Sequence, residues 1–164
     1  MKKIILALFL VLTNFIFSQN NEVTTIFLIR HTETIDDGTR DPDLSEKGIE
    51  RANKWAEVLG QEKIDLVYST DLKRTHALAR IIANSQGIER IYSYQRDIDV
   101  ETFLNVIKGK TAMVSGHSNT TPFFVNKIIG KEKYRQIKDT EYGSLFIVTF
   151  YSKSKVTDIL LKVN

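Results

Sequence analysis

The chain has 164 residues, of which 42% are hydrophobic and 26% charged, with two prolines, eight glycines and no cysteine. This composition supplies the core of one globular domain, and it excludes collagen-like, low-complexity and disordered chains, a disulfide scaffold and a thiolate metal site. The formal charge is +3, from 23 Lys and Arg against 20 Asp and Glu, and +1 without Lys2 and Lys3. A balance so near neutral gives no reason to expect nucleic acid or an anionic membrane as a partner.

The first 18 residues have the layout of a secretory signal peptide. A basic pair at residues 2–3 precedes an apolar run at residues 4–12, and the segment ends in the small residue Ser18. The run is shorter than the roughly 20 apolar residues that a transmembrane helix needs, and polar residues 13–14 follow it. We therefore expect no stable membrane anchor, export to the periplasm or the medium, and a mature domain over residues 19–164.

After this segment, predicted strands and helices alternate along the chain. Apolar and β-branched runs predict strands at residues 24–29, 64–68, 90–94, 111–114, 145–150 and 156–163. Helical spacing of apolar residues predicts helices at residues 45–60, 72–83, 100–107 and 121–129. Strands separated by helices of this length favour a three-layer α/β/α sandwich with a mostly parallel central sheet.

The first predicted helix has a clear start and a clear apolar face. Ser45 is placed to cap its first turn. Four apolar residues then recur at helical spacing, and they are Ile49, Ala52, Ala56 and Leu59. This spacing predicts that their side chains face the core.

Unusual polar residues follow three of the predicted strands, within residues 28–34, 68–75 and 114–120. Because ligands bind at the carboxyl ends of strands in such sheets, we expect these three segments to meet in one cleft. Together they hold two arginines and two histidines. Arginine offers a planar, permanently charged fork for a phosphoryl group. A neutral histidine with one ring nitrogen held by a backbone acceptor can attack phosphorus through the other nitrogen. Phosphoryl transfer through phosphohistidine would require such a set.

Four motifs in these regions resemble those of the histidine phosphatase superfamily, which includes the cofactor-dependent phosphoglycerate mutases and many phosphatases. They are Arg30-His31-Thr32, Leu44-Ser45-Glu46-Lys47-Gly48, the stretch from Ser69 to Arg74-Thr75, and Gly116-His117-Ser118-Asn119. Their order and their strand–turn contexts, over roughly residues 24–121, make the match far more specific than a lone Arg-His pair. The resemblance implies a phosphoglycerate mutase-like fold.

The resemblance also implies roles for individual residues. His31 would be the phosphorylated nucleophile, and the groups that bind the transferring phosphoryl would be Arg30, Arg74 and His117. Ser69, Ser118 and Asn119 are further candidate substrate contacts. Asp37, which stands where mutase relatives often carry asparagine, is a fourth candidate. Thr32 departs from the family pattern, since it replaces a glycine.

The proton donor to the leaving group stays open. Many family members carry a glutamate donor in a helical cap, but only a short stretch separates Arg74 from His117 here. This chain therefore resembles the compact, cap-free members, some of which act on phosphohistidine in proteins. The candidate donors are Glu101 and Asp99, followed by Asp37 and Glu33.

These residues predict an exported phosphatase of the histidine acid type, which hydrolyses phosphomonoesters or phosphohistidine through His31. The substrate would be a phosphorylated small molecule or a phosphoprotein, and the oligomeric state is open. No metal or organic cofactor is expected, because two of the three histidines are assigned to phosphate and His76 is expected on a helix surface. Activity should fall at low pH unless nearby charges shift the pKa of His31. The alternatives are a phosphoglycerate mutase-type transferase, a protein phosphohistidine phosphatase and a non-catalytic phosphate-binding module.

Overall fold

The computed structural model describes residues 22–152 and 154–163. The strands in chain order are β1 (Thr24–Arg30), β2 (Leu66–Ser69), β3 (Ile91–Ser93), β4 (Thr111–Gly116), β5 (Ser144–Ser152) and β6 (Lys155–Lys162). The helices within these ranges are α1 (Glu46–Val58), α2 (Lys73–Ser85), α3 (Val100–Val106) and α4 (Thr120–Ile129). All the predicted elements are confirmed, with ends that shift by no more than two residues.

The predicted signal peptide, residues 1–18, lies outside the described residues, and export of the chain stays a prediction. Within the described ranges, no helix has the length and apolar character needed to cross a bilayer.

The six strands form one mixed sheet in the order β3-β2-β4-β1-β5-β6. The pairings β3–β2, β2–β4 and β4–β1 are parallel, whereas β5 runs antiparallel to β1 and to β6. The mostly parallel sheet expected from the sequence therefore describes the first four strands, and a C-terminal hairpin completes one edge. The register places Arg30 beside Gly116 and Ser69 beside Ser115. Three strands thus end level with one another, immediately before the polar segments.

Two apolar cores lie on opposite faces of this sheet. Since successive side chains of a strand point to opposite faces, β1 contributes to both. Phe27 and Ile29 pack with buried residues of α1 and α2. Ile26 and Leu28 pack on the other face with buried residues of α3 and α4. The three-layer α/β/α arrangement predicted from the sequence is confirmed.

One of the four residues predicted on the buried face of α1 is exposed, and Gly48 and Trp55 are buried in addition. Ser45 caps the helix as expected, accepting a hydrogen bond from the Gly48 backbone N–H at 3.1 Å. Ile49, expected in the core, is 45% exposed. The reason is the close approach of Gly48 to the backbone of Glu33, where a Cβ would collide with the carbonyl oxygen. Gly48 therefore faces inward, and the next residue turns toward solvent.

Candidate active site

An open cleft of about 810 Å³ lies at the carboxyl ends of the parallel strands. Its lining includes one residue that follows each of these strands, namely His31 after β1, Thr70 after β2, Tyr94 after β3 and His117 after β4. The three polar segments predicted to converge are thus brought together in one place.

His31 is held in the form that a nucleophile requires. Its Nδ1–H donates to the Thr32 carbonyl at 2.8 Å, so the lone pair of the neutral ring resides on Nε2. Its backbone N–H donates to the Gly116 carbonyl at 2.8 Å, which ties the residue to the end of β4. Burial, at 7% exposure, lowers the pKa of His31 to about 3, assisted by the positive charge of Arg30. The neutral ring therefore persists well below pH 6.5.

This lowered pKa makes the stability of the protein depend on pH. In the unfolded chain His31 binds a proton as the pH falls through 6.5, whereas in the folded protein His31 binds a proton only as the pH falls to about 3. The contribution of His31 to the free energy of unfolding is therefore fully present above pH 6.5 and is lost as the pH falls toward 3. The loss reaches about 2 kcal/mol at pH 5. Urea unfolding at about pH 7.5 and about pH 5 measures the loss. We expect the His31→Gln variant to lose less stability than the wild type, and an equal loss in both would contradict the assignment.

Thr32 fits the turn where the family pattern has glycine. Its side chain is fully buried. No non-glycine residue in the described part of the chain has a positive φ, so this position does not require the left-handed conformation that favours glycine. With threonine at this position, the Thr32 carbonyl still accepts the hydrogen bond from His31 Nδ1–H.

A chain of hydroxyl groups orients His117. The Thr75 hydroxyl donates to the Leu72 carbonyl at 2.8 Å, and a carbonyl can only accept. Thr75 Oγ1 must then accept from the Thr70 hydroxyl at 2.7 Å. Because the Thr70 hydroxyl proton takes part in the bond to Thr75, Thr70 Oγ1 accepts a hydrogen bond from His117 Nε2–H at 3.1 Å. The neutral His117 ring is therefore the Nε2–H tautomer, and its orientation in the cleft is fixed.

The two histidines lie side by side. Their ring centroids are 5.5 Å apart in an edge-on arrangement. Burial, together with the charges of Arg74 and Arg30 and against the opposing effect of Asp41, lowers the pKa of His117 to about 4. A bound phosphoryl dianion would favour the protonated ring, since an opposite charge stabilises the imidazolium.

Removal of the Thr70 hydroxyl is expected to lower kcat/KM about tenfold, because the His117 ring loses the acceptor that orients it. The test compares Thr70→Val, which keeps the shape, with Thr70→Ser, which keeps the hydroxyl. We expect the serine variant to retain most of the activity and the valine variant to show an altered pH profile. Equal losses in both variants would indicate that packing, and not the hydroxyl chain, is what matters.

A loop after β1 holds Arg74 at the cleft. The Arg74 Nη1 group donates to the Arg40 carbonyl at 3.2 Å and lies 3.5 Å from the Asp41 carboxylate. Asp41 also accepts from the Lys73 backbone N–H at 3.0 Å, which fixes it against the start of α2. The guanidinium lines the cleft, as expected for a phosphoryl-binding group.

Arg30 lies beside the cleft and anchors another loop. It is 4% exposed, and its Nη1 group donates to the carbonyls of Lys138, Asp139 and Glu141 at 2.9–3.0 Å. The Tyr142 ring packs on the guanidinium, 4.1 Å from its carbon atom. Arg30 thus fixes this loop next to His31, and a contact with the phosphoryl group stays a prediction.

Two of the four candidate substrate contacts lie in the cleft. Ser118 and Asn119 line it, and the Asn119 side chain also caps α4 by accepting the Thr120 N–H at 2.8 Å. Ser69 is buried and donates to the Thr70 carbonyl at 2.8 Å. Asp37 is exposed and lies away from the cleft lining.

The candidate proton donors lie outside the cleft lining. Glu101 is exposed in the first turn of α3. Asp99 caps that helix, and the hydrogen bond from the Thr102 N–H lowers its pKa. Hydrogen bonds from Thr39 lower the pKa of Asp37. A carboxyl group held in its ionised form is a poor proton donor.

Glu33 serves the structure of the N-terminal half. Burial would raise its pKa, but the hydrogen bonds from Arg51 at 3.0 Å outweigh this effect and the pKa is lowered. The carboxylates that do line the cleft are Asp71 and Glu132.

Sequence reasoning missed three residues that shape this site. Asp41 and Tyr142 lie in loops, where no periodic pattern marks them. Thr75 belongs to a motif that was recognised, yet its hydroxyl was given no role. A hydroxyl at a strand end, followed five residues later by a second one in the first turn of a helix, is the signal that could have indicated the chain to His117.

Comparison with known proteins agrees with the motifs. The family model described as Histidine phosphatase superfamily (branch 1) matches residues 26–98. "Phosphoserine phosphatase 1" of Hydrogenobacter thermophilus is 39% identical over 72 residues, which cover 40% of this chain. The match spans only 34% of that relative's length.

Solved structures share the fold over most of both chains. The protein histidine phosphatase SixA, solved with tungstate, superposes with a TM-score of 0.66 at 15% identity, covering 84% of this chain and 96% of SixA. Mycobacterial glucosyl-3-phosphoglycerate phosphatase gives a TM-score of 0.63 at 13% identity, covering 85% of this chain and 98% of that structure. Over residues 26–98, less than half of its length, the chain is thus similar to the histidine phosphatase superfamily (branch 1), and its fold is that of the solved phosphatases.

Proposed function

We propose that the protein is a phosphatase that moves a phosphoryl group from its substrate to His31 and then to water. The observation that carries this proposal is the free Nε2 lone pair of a buried, neutral His31 in the same cleft as Arg74 and His117. A nucleophile, a cationic fork and a second imidazole are the groups that in-line phosphoryl transfer to histidine uses.

The reaction has two steps. In the first, the Nε2 lone pair of His31 forms a bond to phosphorus while the bond from phosphorus to the leaving oxygen or nitrogen breaks, and the leaving group takes a proton from water in the open cleft. In the second, water attacks phosphorus, the phosphorus–nitrogen bond breaks, and inorganic phosphate leaves with the neutral ring restored. Arg74 and His117 neutralise the charge on the phosphoryl oxygens. No cluster of three or more His, Asp and Glu side chains in the described part of the chain is placed to hold a metal ion, so the proposal assigns this charge to side chains.

Hydrolysis is favoured over transfer to a second alcohol by the shape of the cleft. A mutase must exclude water from its phosphoenzyme. The cleft here is an open groove of about 810 Å³. Water can therefore reach the phosphohistidine that the first step forms.

The names of two of the similar proteins suggest the range of substrates. One is named a phosphoserine phosphatase and the other a protein histidine phosphatase. Both names fit the reaction proposed for His31, since an alcohol and an imidazole are each possible leaving groups. The physiological substrate is accordingly proposed only as a phosphomonoester or a phosphohistidine.

The test uses ³²P-labelled 4-nitrophenyl phosphate and the full chain in the presence of a chelator. 4-Nitrophenolate leaves without a proton, so the test does not depend on the proton donor. We expect turnover, together with trapped label on the protein that is lost in acid and kept in base, as for a phosphorus–nitrogen bond. Binding of inorganic phosphate without turnover or label would overturn the proposal in favour of the non-catalytic module.

A further inference from the structure

One face of α4 runs along the cleft, away from the reacting groups. Thr120, Phe123 and Lys127 are spaced at helical intervals, and all three line the cleft. The stripe begins next to the reacting end, because the His117 backbone N–H contacts Thr120 Oγ1 at 3.3 Å. With a rise of about 1.5 Å per residue, Lys127 lies about 10 Å farther along the helix.

The middle of this stripe is apolar. Phe123 is 44% exposed although it lines a cleft, so part of its ring is open to solvent. Beside it, the rings of Tyr94 and Phe124 stack with centroids 5.9 Å apart, and both residues also line the cleft. Such a surface offers dispersion contacts to a ring or an alkyl segment of a ligand.

Two basic side chains of the cleft lining have no ion-pair partner. They are Arg96 and Lys127, and neither forms an ion pair with a carboxylate of the described residues. The carboxylate of Glu132, which also lines the cleft, accepts a hydrogen bond from the Asn126 amide at 3.3 Å.

The other acidic group of the lining is also engaged. The two carboxylate oxygens of Asp71 accept from the Ser93 hydroxyl at 2.5 Å and from the Gln95 amide at 3.2 Å. These neutral donors leave both carboxylates charged, so the lining sets three basic groups, Arg74, Arg96 and Lys127, against two acidic ones, and a ligand that meets it encounters a net positive charge.

We propose that the preferred substrate is a phosphomonoester whose alcohol part carries an apolar segment and, beyond it, a second anionic group that reaches Lys127, about 10 Å along α4 from Thr120. The phosphoryl group binds at His31 and Arg74, the apolar segment lies on Phe123, and the anionic end meets Lys127, with Arg96 adding positive charge. This inference rests on the proposed phosphatase function and adds the selectivity of the same cleft.

The test compares two esters with the same leaving phenol, 3-(4-phosphonooxyphenyl)propionate and its neutral propionamide. We expect the carboxylate to have about threefold higher kcat/KM than the amide, the size typical of a solvent-accessible ion pair. The ratio should fall toward one in Lys127→Gln and at high salt, because salt screens exposed charges. Lys54→Gln, which removes the same charge from α1 across the sheet, should leave the ratio unchanged.

Equal kcat/KM for the two esters, or a preference that survives in Lys127→Gln, would overturn this inference while hydrolysis of 4-nitrophenyl phosphate still supports the phosphatase. Absence of hydrolysis of all three esters would overturn the proposed function, and this inference with it.

Discussion

Replacement of His31 by alanine should lower the rate of 4-nitrophenyl phosphate hydrolysis by at least about 10³-fold, because it removes the group proposed to take the phosphoryl. The His31 Nε2 lone pair is the proposed attacking group, and the Nε2 of His117 is engaged with the Thr70 hydroxyl at 3.1 Å. The measurement is steady-state hydrolysis with a chelator present. Circular dichroism of the variant shows whether the fold survives the loss of a buried ring.

The matched control for this variant is His76→Ala. His76 is exposed on α2, so its removal should leave the rate unchanged. A His31→Ala variant that folds and retains more than about one tenth of the wild-type rate would rule out His31 as the nucleophile.

Replacement of Arg74 by alanine is expected to reduce kcat/KM by about 10²- to 10³-fold, the loss typical of removing one donor to a transition-state oxyanion. Arg74→Lys should recover part of this loss, since it keeps the charge but not the planar fork. The measurement is kcat and KM for 4-nitrophenyl phosphate. We expect kcat to fall with kcat/KM, because the phosphoryl charge is bound more strongly in the transition state than in the substrate.

Arg80→Ala provides the control on the same helix. The Arg80 Nη1 group donates to the Glu89 carbonyl at 2.9 Å and does not line the cleft. We expect its removal to leave kcat/KM unchanged. A similar loss in both arginine variants would mean that the net charge of α2, and not a fork at the cleft, supports the reaction.

The fold could be predicted from the sequence because its local signals agree with its tertiary contacts. The buried runs of β1 and β4 are apolar on both faces, as a strand between two helical layers requires. Ser45 marks the start of α1, and Gly130 ends α4 in the left-handed conformation. Patterns of this kind are read over a few residues, so they need no knowledge of the rest of the chain.

The approximate location of the site could be predicted for the same reason. The contacts that hold the site residues in place could not be predicted. The strand ends bring His31 and His117 together, and the strands themselves are visible in the sequence. The partners of Arg30, by contrast, lie 108 to 111 residues away in a loop without regular structure. Such contacts depend on the path of the backbone and leave no periodic pattern.

The outward turn of Ile49 illustrates the same limit within a helix. Its spacing matches the apolar face of α1, and hydrophobicity alone places it inside. The close approach of Gly48 to Glu33 decides otherwise, and that contact joins two segments that lie apart in the sequence. Periodicity therefore gives the existence of a buried face more reliably than its rotation about the helix axis.

The position of β1 between β4 and β5 also determines when the cleft can form during synthesis. A nascent chain that ends at residue 98, where the family match stops, already contains His31 and Arg74 but neither strand that pairs with β1. Contacts between residues so distant in the sequence slow folding, because a long loop must close before they form. β1 can therefore pair with its neighbouring strands only after the last third of the chain has been synthesised, and the cleft is completed late in folding.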